Sequence, residues 1–254
     1  RWMMADAPPR SPSGVRLAGD DYQHLVTWNE VLRALRPDSG VATVTVEDRE
    51  AASVDDIVIR YANDQVRYLQ VKHTVDASTP VGAEWLMKSR GNGRSLLQKF
   101  FDSWKDLGPT SRLELVTDRG IDPADPMMGC FDASSELLVP DAARERLPRA
   151  VADARASWAA HVKGTPEELL EMLGQLRWRT GRPWAAELER AETLMQLHGL
   201  RFNQTTLDSA LGFVRRWIQA RWRELTIEDL WRQVESSIER ESDPWSLVVV
   251  EGID

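Results

Sequence analysis

The chain has 254 residues, 42% of them hydrophobic, a formal charge of −8 and one cysteine. Length and apolar content support a well-buried core in one large domain or two small ones, and a single cysteine excludes an internal disulfide framework or a Cys-rich zinc site. The acidic balance counts against a high-affinity nucleic-acid binder, because phosphate contacts normally come from a basic face; because no window approaches the roughly 18 apolar residues of a membrane span and RWMMADAPPRSPSG lacks a secretory apolar run, a cytoplasmic protein is expected.

Residues 1–13 read as a disordered tail or tag remnant, since the chain opens at Arg1 with Met3 and Met4 close behind. A first helix is predicted over Asp20–Leu35, with Leu25, Val26, Trp28, Val31, Leu32 and Leu35 on its apolar side and Pro37-Asp38-Ser39-Gly40 ending it. Three strands follow, Val41–Glu47, Asp55–Tyr61 and Val66–His73. A helix is predicted over Ala83–Leu107, stopped by Gly108-Pro109, then a strand over Leu113–Thr117. Asp118–Pro140 reads as a long loop. From Asp141 the pattern is helical: Asp141–Val162, Thr165–Leu176, Trp184–Leu197, Thr206–Glu224 and Thr226–Glu239. Thr165-Pro166-Glu167-Glu168 places a capping hydroxyl before a proline at the first helical position, and Thr226-Ile227-Glu228-Asp229 resembles a capping box. The closing run Trp245–Val250 reads as an apolar strand cut short, so a further domain beyond Asp254 is expected. The organisation that follows is a 14–140 core and a 141–254 helical extension packed on it.

The second and third strands carry the chemistry. Both alternate, so Ile57 and Ile59 should face a core while Asp56 and Val58 face away. On the third strand Leu69 and Val71 are the apolar set, leaving Gln70 and Lys72 together on the opposite face, about 7 Å apart along the strand. Asp56 joins them only if the connection around Asn63 and Asp64 has an odd number of residues, because a one-residue slip moves every side chain to the other face. A three-residue turn, or a bulge of the same effect, is therefore predicted. Glu47, at the end of the first strand, is the additional carboxylate of choice, with Glu30 on the first helix as the alternative. Acidic, amide and lysine side chains so placed suit metal-dependent phosphodiester chemistry.

An acidic residue on one strand followed by (D/E/Q)-x-K on the next, here Gln70-Val71-Lys72, resembles the signature of the PD-(D/E)XK nuclease superfamily. The glutamine form followed by His73 is similar to the nuclease domain of bacterial anti-phage effectors, the CD-NTase-associated double-stranded DNA endonucleases of CBASS, related to the Mrr branch. Looser similarity lies in Gly19-Asp20-Asp21-Tyr22-Gln23, in Ser95-Leu96-Leu97 with Trp104, and in Leu225-Thr226-Ile227-Glu228-Asp229-Leu230. The resemblance implies an α/β, restriction-endonuclease-like core of helix, three strands, helix and strand, with a helical C-terminal half. It implies an antiviral hydrolase of double-stranded DNA using Mg2+ or Mn2+ held by Asp56, the Gln70 side-chain oxygen and the Val71 carbonyl, with Lys72 orienting or deprotonating a metal-bound water. A homo-oligomer during turnover and a sensor or regulatory partner are implied as well. Glutamine in place of the commoner acidic residue lowers the expected metal affinity.

Lys88, Arg90, Arg94 and Lys99, gathered after the third strand, are the candidate DNA contacts, and Trp178 between Arg177 and Arg179 is a further one. Trp217 and Trp231, at helical spacing with leucines and valines, read as core. His24, His73, His161 and His198 never form an i, i+4 pair, which gives a zinc hydrolase no support, and Cys130 reads as a small semi-buried side chain. Two rival readings remain: a non-catalytic adaptor or interaction module whose Trp-rich helical half docks a partner, and an RNA or single-strand nuclease.

Overall fold

The structure is a computed structural model that describes residues 12–47, 56–74, 79–89, 93–107, 111–138, 148–220 and 224–238. Its elements in chain order are α1 (Pro12–Ala34), β1 (Val41–Val46), β2 (Ile57–Tyr61), β3 (Val66–Lys72), α2 (Ala83–Leu86), α3 (Leu96–Leu107), β4 (Ser111–Thr117), a 3-10 turn (Met128–Cys130), β5 (Phe131–Asp132) and β6 (Leu137–Leu138). There follow α4 (Arg149–Val162), α5 (Pro166–Gln175), β7 (Leu176–Arg179), α6 (Trp184–Leu197), α7 (Gln204–Ala220), β8 (Leu225–Thr226) and α8 (Ile227–Ser237). The strands form one mixed sheet in the order β5-β6-β7-β4-β3-β2-β1-β8. Among the described residues no helix is long and apolar enough to cross a membrane.

The centre of the sheet is parallel, β3 with β4 and β4 with β7, while the flanks are antiparallel. Parallel neighbours need crossover connections, and α3 and then α4 with α5 supply them. Both faces are consequently covered. One face packs Ile57, Ile59, Leu69, Val71 and Val116 against α1, α6, α7 and α8. The other packs Val58, Tyr68, Leu113, Leu115, Leu176 and Trp178 against α3, α4 and α5. Val58, expected to face away from a core, is fully buried in this second layer. The period-2 pattern gave its face correctly, but a sheet covered on both sides leaves no solvent face in its middle.

Tyr61 and Gln65 close the β2–β3 hairpin, and the turn between them has three residues, Ala62, Asn63 and Asp64. Ile57 pairs with Leu69 and Arg60 with Val66, and Tyr61 N–H donates to the Gln65 carbonyl at 2.9 Å. Asp64 takes the left-handed conformation, φ 63°, and Asn63 Oδ1 accepts from Gln65 N–H at 3.2 Å; short polar side chains tolerate and support such a turn. This register puts Asp56 and Gln70 on one face.

Three elements differ from the sequence reading. The helix expected over Ala83–Leu107 is two helices, α2 and α3. The segment read as a loop over Asp118–Pro140 holds the 3-10 turn and the β5–β6 hairpin. β7 lies where the helix from Thr165 and the loop after it were expected, and joins the middle of the sheet beside β4. The Thr165 capping box is present, with Thr165 Oγ1 accepting from Glu168 N–H and Glu168 reaching back to Thr165 N–H.

A layer of charge lies between α1 and the sheet. Arg67 from β3 makes a two-pronged contact with Glu114 of β4, at 2.8 and 2.7 Å, and Arg179 of β7 donates to Glu30 of α1 at 2.6 Å. Arg67 also lies 3.5 Å from Glu30 and donates to the Tyr61 hydroxyl. Burial alone would raise the Glu30 carboxyl, but the guanidiniums of Arg179 and Arg67 hold it far below the usual carboxylate range. Paired in this way, four charges can sit under a helix, and removing one member of such a set typically costs about 3–5 kcal/mol.

Candidate functional site

Asp56, Gln70 and Lys72 meet at the end of the β2–β3 hairpin. One Asp56 oxygen accepts from the Gln70 amide nitrogen and, at 2.7 Å, from the Val71 backbone N–H. Lys72 Nζ lies 3.9 Å from the same oxygen. Gln70 is buried and Asp56 half-buried. Glu47 sits beside them through its backbone, its N–H donating to the Asp56 carbonyl at 3.1 Å, while its side chain is exposed. Glu30, the alternative carboxylate, lies on the opposite face of the sheet in the charge layer.

This arrangement differs from the expected metal site. Mg2+ demands a near-octahedral shell of oxygens. Here Gln70 turns its nitrogen to Asp56, and Val71 offers an N–H where a carbonyl oxygen was expected. Among the described residues no group of three or more Asp, Glu, His or Cys is placed to hold a metal ion. The residues as they stand do not fit the expected Mg2+ or Mn2+ ligand set, and no chemical step is derived through such an ion.

Beside the cluster, at the carboxyl ends of the parallel strands β3 and β4, lies an open depression of about 680 Å³. Crevices at this end of parallel strands are the usual ligand positions of α/β sheets. The chains leaving β3 and β4 are joined there: Val81 N–H donates to the Gly120 carbonyl at 2.7 Å, and Asp122 N–H to the Val81 carbonyl at 2.9 Å. Asp125 fastens the start of α2 to the same junction, accepting from Ala83 N–H at 2.6 Å and from Met127 N–H at 2.8 Å. Gly82 lies so close to Asp122 and Asp125 that a Cβ there would sit 3.1 Å from the Asp122 Cβ.

Lys72, Lys88, Arg94, Lys99 and Arg119 line the depression, with Glu84 the one carboxylate among the described residues around it. Three of the four expected DNA contacts thus share one hollow; Arg90 lies outside the described residues. Arg94 is held by Asp102 at 2.8 Å. Lys88, Lys99 and Arg119 have no carboxylate partner among the described residues. Trp178 is not in this site. It is fully buried in the second core layer, because its place at the centre of β7 points it away from the two arginines that flank it.

Two residues here, Arg119 and Trp85, escaped the sequence reading. Arg119 and Trp85 line the depression and stack, the guanidinium lying 5.3 Å from the ring centroid. His73 also lines it, stacked on Tyr22 at 4.8 Å, with Nδ1 2.9 Å from Asp118 Oδ2 but off the line of a hydrogen bond. The Tyr22 hydroxyl donates to the Arg182 carbonyl at 2.6 Å, and burial, then Glu187 and Asp118, push its pKa up. The available signal was position: Arg119 follows the carboxyl end of a strand with a parallel neighbour.

No protein-family model and no curated protein matches the sequence. Solved structures that it resembles include the Cap4 SAVED/CARF-domain containing receptor of Acinetobacter baumannii, at 12% identity over 91% of this chain and 48% of that one, with a TM-score of 0.47. The same receptor with the cyclic trinucleotide 3'3'3'-cAAA gives 12% identity, 91% and 46% coverage and a TM-score of 0.48. The Cap4 receptor of Moraxella osloensis gives 11%, 87%, 47% and 0.48. The chain spans about half the length of these proteins, and a likeness of this degree assigns no residue a role. All three are described as receptors. The expectation of a metal-dependent endonuclease cutting double-stranded DNA is corrected on the geometry of Asp56, the expected metal ligand, whose oxygen is taken up by hydrogen bonds from Gln70 and Val71.

Proposed function

We propose that this chain is a non-catalytic interaction module that takes a phosphate-bearing ligand of nucleic-acid type in the depression at the ends of β3 and β4. The observation that carries the reading is the concentration of Lys72, Lys88, Arg94, Lys99 and Arg119 around one hollow of a chain with net charge −8. Cations gathered in a cleft focus their field and attract an anion even where the whole molecule is acidic. Phosphate contacts of this kind depend steeply on salt and weakly on sequence. Asp56 acts here as a fixed acceptor that orders Gln70, Val71 and Lys72 at the rim.

The test is binding of short fluorescein-labelled single-stranded and duplex DNA in EDTA, with the cyclic trinucleotide 3'3'3'-cAAA as a third ligand. Binding that weakens with salt, and that falls at least about tenfold in the double variant Lys88→Glu/Lys99→Glu, supports the reading. No binding of any of the three, or plasmid nicking that disappears in Lys72→Ala, overturns it.

A further inference from the structure

We infer that Arg119 is a specific phosphate anchor at the base of the depression, held ready by Trp85 and the Thr79 carbonyl. The inference rests on the binding reading above and names the group that gives it a defined subsite.

Arg119 is only 8% exposed. Buried guanidiniums are ordinarily matched by carboxylates, and the second buried arginine of this fold follows that rule, Arg179 lying 2.6 Å from Glu30 and 3.8 Å from Glu114. Arg119 has no such match among the described residues. Its side chain donates through Nη1 to the Thr79 carbonyl and lies over the Trp85 ring. A guanidinium has five N–H donors in a rigid fork, so one carbonyl leaves most of them unused. They are not sealed in: Arg179 Nη2 is buried without a partner, whereas no Arg119 nitrogen is. The unused part of the fork therefore opens on the depression that Arg119 lines.

A planar fork with its orientation fixed is matched by a tetrahedral oxyanion that accepts two N–H bonds at once. Its support is rigid. Arg119 N–H donates to Thr117 Oγ1 at 3.3 Å, and the Arg119 carbonyl accepts from Gly181 N–H at 2.6 Å. Trp85, on α2, is carried by the junction that Asp125 fastens. Little ordering is left for the ligand to impose, which is the condition for affinity from a single contact. Lys88 and Lys99 supply charge at the rim, whereas Arg119 supplies geometry.

The experiment compares Arg119→Lys and Arg119→Gln with Lys88→Glu/Lys99→Glu on the full chain. Arg119→Lys keeps the charge and loses the fork. It should weaken binding of the labelled single strand by at least about tenfold, the scale of a charge-assisted hydrogen bond, with circular dichroism unchanged. Inorganic pyrophosphate should shift one arginine Nε–H resonance of the wild type, and that resonance should be missing in Arg119→Gln. If the lysine-to-glutamate double variant loses the DNA while Arg119→Lys retains wild-type affinity, the anchor is refuted and the binding reading survives. A wild type that binds neither the labelled DNAs nor 3'3'3'-cAAA refutes both. Should Arg119→Lys lose its circular dichroism signal, the pyrophosphate-shifted resonance of the wild type decides: a shift that Lys88→Glu/Lys99→Glu leaves in place supports the anchor, and its absence from the wild type overturns it.

Discussion

The two faces of the sheet treat charge in opposite ways. Beneath α1, Glu30, Arg67, Glu114 and Arg179 are buried against one another, and every charge has an opposite within 4 Å. Across the sheet and beyond the ends of β3 and β4, Lys88, Lys99 and Arg119 surround a hollow and have no carboxylate partner among the described residues. The first set is closed: its members satisfy each other, and its consequence is attachment of α1 to β3, β4 and β7. The second set is open among the described residues, and in the proposed reading its balance comes from a bound anion. Residue type alone, arginine in both, does not separate them; the neighbours do.

The largest expected effect lies in the closed set. Glu30→Gln leaves two buried guanidiniums short of a counter-charge and should cost about 3–5 kcal/mol in urea unfolding. A loss no greater than that of an average surface substitution, within about 0.5 kcal/mol, would break the comparison. Acid should act on the same residue. The folded-state pKa of Glu30 is depressed below its ordinary value of 4.5, so its contribution is fully present above that pH and is lost as pH falls from there toward the folded-state value. Wild-type stability should therefore decline more steeply below pH 4.5 than that of Glu30→Gln, as read from unfolding midpoints across that window.

The open set should respond in reverse. Lys88→Glu/Lys99→Glu should change unfolding free energy by no more than about 0.5 kcal/mol, while its affinity for labelled DNA falls at least about tenfold and its log–log salt slope is reduced by roughly one to two. A smaller change still is expected of His24. Burial first, and then Arg215, lower its pKa below 6.5. Neutral His24 therefore contributes stability above pH 6.5 that diminishes as pH falls below it, and His24→Gln should flatten that shallow part of the profile.

The hairpin was the part of the molecule most open to reading from the sequence, because alternation fixes faces and the turn length fixes the register that unites them. Asp56, Gln70 and Lys72 were brought together by that logic alone. Helix α6 matched its predicted bounds, Trp184 to Leu197. β7 was hidden for a physical reason. Four residues with arginine at every second position look like a polar helix end, and only the buried partners of Arg179 show why a charge sits in the middle of a sheet. Glu30 was hidden likewise, since pairing that crosses 149 residues leaves no local pattern. What Asp56 does was not legible either: the same three side chains serve a metal ligand set or a hydrogen-bonded rim, and only the direction of the Gln70 amide and the Val71 N–H separates the two.

Among the described residues, both ends of the eight-stranded sheet are finished by strands of only two residues, Phe131–Asp132 and Leu225–Thr226. So short a border offers another polypeptide little template for backbone pairing. Among the described residues, self-association that continues the ladder from one molecule to the next is accordingly disfavoured at either margin, which favours helix surfaces and side chains as contacts between copies.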